Sequence, residues 1–362
     1  MPFWSTHKAK ETPAQGHVPT LPDLAAVQIS WISAIAYSAN APCHPVFVVD
    51  YSGGSVVVKG EKHHDAQVKK QDLSQRHEEL AGGVKVEDEW WDESARWAGK
   101  IMYNVCGYTK VSLLTGAEKS ALKGVPYTRF MPTELDRKAC AYLHFLIDGR
   151  PHAQPPEPPR YMLYKMPFVR HLHGMASMAK DSSSCLAMLE KLSKDRKVLY
   201  NLARVIAVDM FIGNHDRFNA DGAVANPENV LFIMEGNKLS PVGVDFFDKT
   251  SAADEFHIAT TDSILLLPPR PDWAGTMLAN RSQLNEFAVK LLDGLNRYFS
   301  KTLKGLGIPA SEGMLIDKIR LGDIAKGLLD GANGLREYLQ RRRRQKKVLP
   351  VGVGMRMQRL GW

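Results

Sequence analysis

The sequence predicts an α+β protein whose strands gather in the first half and whose helices dominate the second. Apolar, β-branched runs recur at 25–37, 45–50, 55–59 and 161–166. Apolar residues return at helical spacing over 198–212 and 281–298. Between those helices lies a hairpin pattern, 230–234 and 239–244 around Glu235-Gly-Asn237, with polar residues at both open ends.

A chain of 362 residues can bury a core for one large domain or two lobes. The formal charge is +8, and six positives sit within seven residues: Arg341, Arg342, Arg343, Arg344, Lys346 and Lys347. Such a run is either a solvated face, a nuclear-targeting signal, or a contact for acidic partners or an anionic membrane. Cys43, Cys106, Cys140 and Cys185 are far apart with no CxxC spacing. That argues against a zinc site or disulfide framework and for a reducing compartment. The expected location is cytoplasmic, with the nucleus or delivery into a host cell as alternatives. No run is apolar and long enough to span a bilayer.

Residues 1–22 are polar, contain four prolines and lack a signal-type apolar core, so they read as a flexible leader. In 25–37, Val27, Ile29, Trp31, Ile32 and Ile35 make a strand. Residues 38–44 form a small-residue loop. Strands follow at 45–50 and 55–59, joined by a turn at Tyr51-Ser-Gly-Gly54. Lys59 ends the third strand behind Val56, Val57 and Val58, where a lysine serves as an edge charge or reaches a phosphate. Residues 61–75 are polar, and the adjacent His63 and His64 read as solvated rather than metal-binding.

Trp90, Trp91, Ala95, Ala98, Ile101 and Met102 give 88–105 a broad apolar helical face, stopped at Gly107. Glu93 lies inside this helix and either faces water or pairs with Lys59. A strand at 109–114 and a helix at 133–147 follow. Five prolines make 148–160 a loop and a boundary between lobes. A strand at 161–166 comes next. His171 and His173 have no third ligand nearby in sequence and read as structural. The helix at 198–212 is apolar nearly all round, hence buried, and stops at Gly213-Asn214. Shorter apolar pieces lie at 314–319 and 324–329. A last helix, 334–343, runs into the basic cluster, and the glycine-interrupted 348–362 reads as flexible.

Asp216 follows the buried helix at once. Asn229 comes thirteen residues later and Asp245 sixteen beyond that, at the two open ends of the hairpin. Phosphoryl transfer uses such a set: one carboxylate orients the attacking hydroxyl, while an Asn and an Asp hold Mg2+ on the triphosphate. Any one of the three alone is equally a turn residue. Their order, behind a buried helix and across a hairpin, points to the chemistry.

The order of parts resembles a protein-kinase-like fold: strands ending in Lys59, a helix with Glu93, a strand leading to a linker, a buried helix, then Asp216, Asn229 and Asp245. The sequence has no GxGxxG loop, His-Arg-Asp, Asp-Phe-Gly or Ala-Pro-Glu. Instead, Gly213-Asn-His-Asp-Arg217 resembles the Gly-Asn-x-Asp-Arg element of lipid-kinase-related and secreted atypical kinases. Together with the insertion at 219–225 and Asn226-Pro-Glu-Asn-Val-Leu-Phe232, it is similar to the catalytic domain of actin-fragmin kinase. Val46-Phe-Val-Val-Asp50, Ser52-Gly-Gly-Ser55 and Val57-Val-Lys-Gly60 are similar to that family's N-lobe hairpins. The resemblance covers roughly 29–250 and leaves the C-terminal third unmatched.

It implies a two-lobed fold: a leader at 1–22, a β-rich N-lobe and hinge at 23–166, a helical C-lobe with the catalytic loop at 167–340, and a basic flexible tail at 341–362. It implies ATP and Mg2+ as cofactors. Asp216 would orient the acceptor hydroxyl and take its proton, Arg217 would stabilise the loop or a phosphate, and Asn229 and Asp245 would bind Mg2+. Lys59 would contact the α- and β-phosphates, held by Glu93, with Glu87 and Glu89 as competitors. Tyr164 and Met166 would flank the adenine at the hinge. The backbone of 38–44 would cover the phosphates as an anion nest. The expected acceptor is a Ser or Thr hydroxyl of an actin-like or other cytosolic protein. The alternatives are a phosphoinositide kinase and a kinase-shaped binding protein without catalysis. Transfer of AMP would use the same metal ligands.

Overall fold

The structure is a computed structural model that describes residues 21–36, 46–62, 88–107, 112–126, 129–130, 141, 143–144, 146–147, 161–169, 171–236, 238–243, 265–266, 268–269, 271–311 and 314–362. It is α+β. Its contacts divide it into two compact units, Met1–Asp88 with Thr109–Val169, and Glu89–Tyr108 with Arg170–Trp362.

The first unit holds a five-stranded antiparallel sheet. Its strands are β1 (Ile29–Ala36), β2 (Val46–Tyr51), β3 (Gly54–Lys62), β4 (Ser112–Leu113) and β5 (Tyr161–Pro167), in the order β1-β2-β3-β5-β4. Side chains alternate across such a sheet. Ile32, Phe47, Val49, Val56, Val58 and Leu163 therefore share one face and pack with Leu114, Leu122, Leu143 and Leu146. The opposite face carries Val48, Val57 and Lys59.

The first strand starts later than its apolar run. The Leu24 amide donates to Glu118 Oε1 (3.0 Å) and the Ala26 amide to the Asp23 carbonyl (3.0 Å), which makes 23–26 a turn. Of the expected strand at 109–114, the described residues are 112–114: Ser112 and Leu113 pair with β5, and the Leu114 amide donates to the Leu163 carbonyl (2.9 Å).

Helix α1 (Asp88–Cys106) stands between β3 and β4 in sequence yet belongs to the second unit. Its Val105 carbonyl accepts from Arg204 Nη2, its Ser94 hydroxyl oxygen accepts from the Leu265 amide (2.9 Å), and Met102 lies where a side chain at Gly243 would be. In the first unit, α2 (Gly116–Lys123) was not expected. It starts at a capping box in which Thr115 Oγ1 accepts from the Glu118 amide (3.2 Å) and Glu118 Oε2 from the Thr115 amide (2.9 Å). The described part of the expected helix at 133–147 is 141, 143–144 and 146–147, all helical.

The second unit is built around one central helix. Its elements are β6 (Leu172–Gly174), α3 (Met175–Met178), α4 (Ser182–Lys194), α5 (Arg196–Ile212), β7 (Leu231–Glu235), β8 (Lys238–Val242), α6 (Arg281–Gly305), α7 (Leu321–Arg344) and α8 (Val351–Arg359). Strands β6, β7 and β8 form a small antiparallel sheet. Asp195 caps α5, and every residue from Val205 to Ile212 is buried. That unbroken apolar wrap needs cover on all sides. Helix α7 lies along it, with Leu328, Ala332 and Leu335 buried and the Tyr200 hydroxyl donating to Asp330 Oδ2 (2.8 Å).

The C-terminal segment corrects the expectation of a flexible basic tail at 341–362. The apolar piece at 324–329 and the expected helix at 334–343 are one continuous helix, α7, which includes Arg341–Arg344. Beyond it, α8 buries Val353, Arg356 and Met357. Trp362 stacks on Phe211 (6.0 Å, 7°), and Trp273 meets Phe211 edge-on (5.9 Å, 71°). An aromatic contact of this kind contributes about 0.5–1.5 kcal/mol beyond its buried area. The glycines suggested flexibility, but apolar burial of the segment outweighs their helix penalty of about 1 kcal/mol each.

Candidate functional site

Helix α5 ends where its chemistry begins. Gly213 takes the left-handed conformation (φ 78°), and the amide of Asn214 donates back to the Asp209 carbonyl (2.9 Å). Glycine reaches this conformation without a Cβ clash, so the helix stops sharply. Asn214 then folds inward, 2% exposed, donating its Nδ2 to Asp209 Oδ1 (3.0 Å) and accepting the Asp216 amide on Oδ1 (3.1 Å).

Arg217 ties the loop down. It is 1% exposed. Its Nη1 donates to Asp209 Oδ1 (2.6 Å) and its Nε to the Asn229 carbonyl (3.1 Å). Of the two roles expected for Arg217, stabilising the loop is the one its burial serves. Burial pushes the Asp209 carboxyl up to about 6, against the pull of Arg217 and Asn214. Asp209 Oδ2 is buried with no hydrogen-bond partner among the described residues, which costs roughly 1–3 kcal/mol. Only a strong tie on the other oxygen makes that position tolerable.

Between Arg217 and Asn226 the chain doubles back. The Ala225 amide donates to the Arg217 carbonyl (3.0 Å) and the Asn219 amide to the Ala223 carbonyl (2.9 Å). The tip at Gly222 rests on α6 at Gly294, where a Cβ would overlap the Gly222 carbonyl. This return brings two amides onto one half-buried carboxylate. Asn226 Nδ2 donates to Asp216 Oδ1 (3.3 Å), and Asn229 Nδ2 donates to Asp216 Oδ2. Asp216 is thereby held as an acceptor with lone pairs to spare. An Asn229 amide that gives its NH2 to Asp216 turns its Oδ1 the other way, as a neutral oxygen donor. The Val230 carbonyl next accepts the Met175 amide (2.9 Å), and the chain enters β7.

The strand β8 leaves the hairpin at Val242, opposite Leu231. Asp245 follows three residues later and lies outside the described residues, as do 38–44, Glu87 and the side chain of Glu89. The Asn229 amide oxygen is of the type that suits a hard divalent cation such as Mg2+. Among the described residues, no group of three His, Cys, Asp or Glu forms a metal cluster.

In the first unit, register places three expected nucleotide contacts on one sheet face. Lys59 pairs directly with Tyr164, and Val57 with Met166. Directly opposed residues point the same way, so Lys59, Tyr164 and Met166 share the face away from the core cluster. Tyr164 and Met166, expected at the hinge, lie inside β5, and the first unit's chain runs on to Val169. Apolar pairing with β3 carries the strand through Pro167.

Glu93 is engaged on its own helix. Its Oε1 accepts from Trp97 Nε1 (2.7 Å) and its Oε2 pairs with Arg96. A bond to Lys59 would compete with both. Lys165 and Glu118 form a buried Lys–Glu pair. Lys165 also donates to the Pro22 carbonyl, and the pair sits on the core side of the sheet as a structural tie. Cys106, near Asp209 and Arg217, is no nucleophile: burial pushes its thiol up to about 12.

Sequence reasoning missed Asp209, Asn214 and Asn226. Asp209 carried a signal, a carboxylate in the middle of an apolar helix face. Asn226 had none, because its role depends on how the 217–225 return closes. Compared with protein-family models, curated proteins and solved structures, the chain matches none.

Proposed function

We propose that this protein is an ATP- and Mg2+-dependent phosphotransferase of the atypical kinase type, acting on a protein Ser or Thr hydroxyl. The observation that carries this reading is the pair of amide bonds from Asn226 and Asn229 onto Asp216, on a loop tied through Arg217 to a buried helix. A base for an attacking hydroxyl needs this combination of fixed position and open lone pairs. Asn229 supplies a metal-binding oxygen beside it, and Asp245 the second metal ligand. The face shared by Lys59, Tyr164 and Met166 supports a phosphate and adenine contact. The division into a unit with a five-stranded antiparallel sheet and a mostly helical unit supports a two-lobed kinase-like fold.

ATP with Mg2+ supplies the transferable phosphoryl group and the charge that stabilises its transfer. Asp216 accepts the hydroxyl proton as the acceptor oxygen attacks. A second reading, a phosphoinositide acceptor, is favoured by the exposed cations at 341–347.

The test is a thermal-shift titration with ATP and Mg2+, wild type beside Asp245→Ala, followed by transfer from γ-labelled ATP to casein and to phosphoinositide vesicles. A ligand that binds only the folded state raises Tm by mass action. The reading requires a Mg2+-dependent rise that the variant loses. An unmoved wild type at millimolar nucleotide would leave a binding protein without catalysis. Label released as pyrophosphate, with the acceptor labelled only from α-labelled ATP, would replace phosphoryl transfer with adenylylation.

A further inference from the structure

The six cations at 341–347 are organised by the fold. Helix α7 stops in a Schellman turn: the Lys346 amide donates to the Arg343 carbonyl (3.0 Å) and the Lys347 amide to the Arg342 carbonyl (3.1 Å), with Lys346 left-handed at φ 53°. Glycine holds that position without strain, yet here it is a lysine. Residues 343–348 are all exposed.

Helix α1 extends the patch. Arg342 lies over the Trp97 ring (4.8 Å), and Lys100 approaches the same ring (5.1 Å). Arg96, about half exposed beside them, is paired with Glu93. Burial, then Arg96 and Arg342, hold the Lys100 ammonium below its ordinary range, so these cations repel one another. By contrast, Lys326 on α7 pairs with Asp330 (2.5 Å), and Arg320, just before the helix, with Asp323 (3.1 Å). Among the described residues, no carboxylate pairs with Arg341, Arg343, Arg344, Lys346 or Lys347.

The helix dipole favours cations in the last turn of α7. It does not account for Lys346 and Lys347 beyond the helix, nor for the apolar side chains that follow. Val348 is 86% exposed and Val351 70%. Nucleic acid phosphates offer nothing to exposed valines, whereas the interfacial layer of a bilayer takes both cations and aliphatic groups.

We propose that 341–351, with Lys100 beside it, docks the protein on an anionic phospholipid surface, the cations on headgroups and Val348 and Val351 entering the interfacial layer. This does not depend on the phosphotransferase reading.

The experiment is co-sedimentation of the full chain with phosphatidylcholine vesicles, with and without phosphatidylserine, over a salt series. Binding should require phosphatidylserine and weaken with salt. R343E/R344E/K346E/K347E should weaken it by at least roughly fivefold per altered cation. V348S/V351S should weaken it by roughly tenfold. Both variants change exposed side chains, and their Tm should stay at the wild-type value. A chain that ignores phosphatidylserine overturns the proposal. So does undiminished vesicle binding by V348S/V351S with equal affinity for heparin, which would leave a general polyanion contact.

Discussion

Asn229 meets Asp216 twice over: its side-chain amide donates to the Asp216 carboxylate, while its backbone carbonyl accepts from Arg217, the residue next to Asp216. One residue thus sets both the orientation of the carboxylate and the anchoring of its loop. Asn229→Ala should lower phosphoryl transfer by about 100-fold or more and raise the Mg2+ requirement, with stability reduced by only about 1 kcal/mol. Asp216→Ala should abolish transfer to a similar degree yet keep the Mg2+-dependent thermal shift. Turnover and thermal shift measured on the same preparations separate the two roles.

Arg217 neutralises the buried Asp209 carboxylate, which has no other cation partner among the described residues. Arg217→Ala strands Asp209 in the core and should cost about 3–5 kcal/mol. Adding Asp209→Asn should recover part of that loss, since no buried charge is then left alone. Urea unfolding of the single and double variants reads the coupling, and strict additivity would count against the pair.

Two buried carboxyls give opposite pH dependences. Burial works to raise Glu118, but bonds from Lys165, Thr115 and Leu24 carry it below its ordinary 4.5. Its contribution is complete above 4.5 and is lost as pH falls through the depressed folded value. Asp209 is raised from 3.8 to about 6, so its relative stabilisation is present at acid pH and is lost as pH rises from 3.8 through about 6. The acid-side fall in stability should therefore be shallower in Glu118→Gln. In Asp209→Asn stability should lose its decline between about 4 and 6.

Lys59 and Glu93 respond differently if Lys59 contacts phosphate. Lys59→Met should weaken ATP binding about tenfold or more, the loss of a charge-assisted contact. Glu93→Gln should weaken it only severalfold, because Trp97 and Arg96 already hold that carboxylate. Titration calorimetry with ATP and Mg2+ measures both, and equal effects would make the Lys59–Glu93 pair the dominant partnership.

Gly294 supports the loop from below. A methyl group at this position would overlap the Gly222 carbonyl, and Gly222 itself has φ 82°. Gly294→Ala should push the 217–225 return off α6, costing about 1–3 kcal/mol and displacing Asn226 from Asp216. Activity should fall with stability, and proteolysis within 219–225 should accelerate.

Much of the architecture was readable locally. The β2–β3 hairpin around Ser52-Gly53, the core helix ending at Gly213 and the β7–β8 pair follow from alternation, periodicity and turn chemistry. The start of α2 was also legible, in Thr115 and Glu118 three residues apart. The C-terminal helix was not. Glycines at 352 and 354 lower helix propensity, and only the burial of Val353 and Met357 with the stacking of Trp362 on Phe211 reverses that.

The site divides the same way. Residue order alone placed Asp216 behind a buried helix and Asn229 at the mouth of a hairpin, because helix stops and hairpin turns are short-range events. Only the tertiary structure decided that Arg217 turns inward to Asp209, that Asn226 and Asn229 converge on one carboxylate, and that Glu93 bonds its own helix. It also assigned α1 to the second unit and organised the cations at the end of α7 beside Arg96 and Lys100. Each of these depends on which surfaces meet once apolar area is buried. That choice is made by residues distant in sequence, and no local pattern records it.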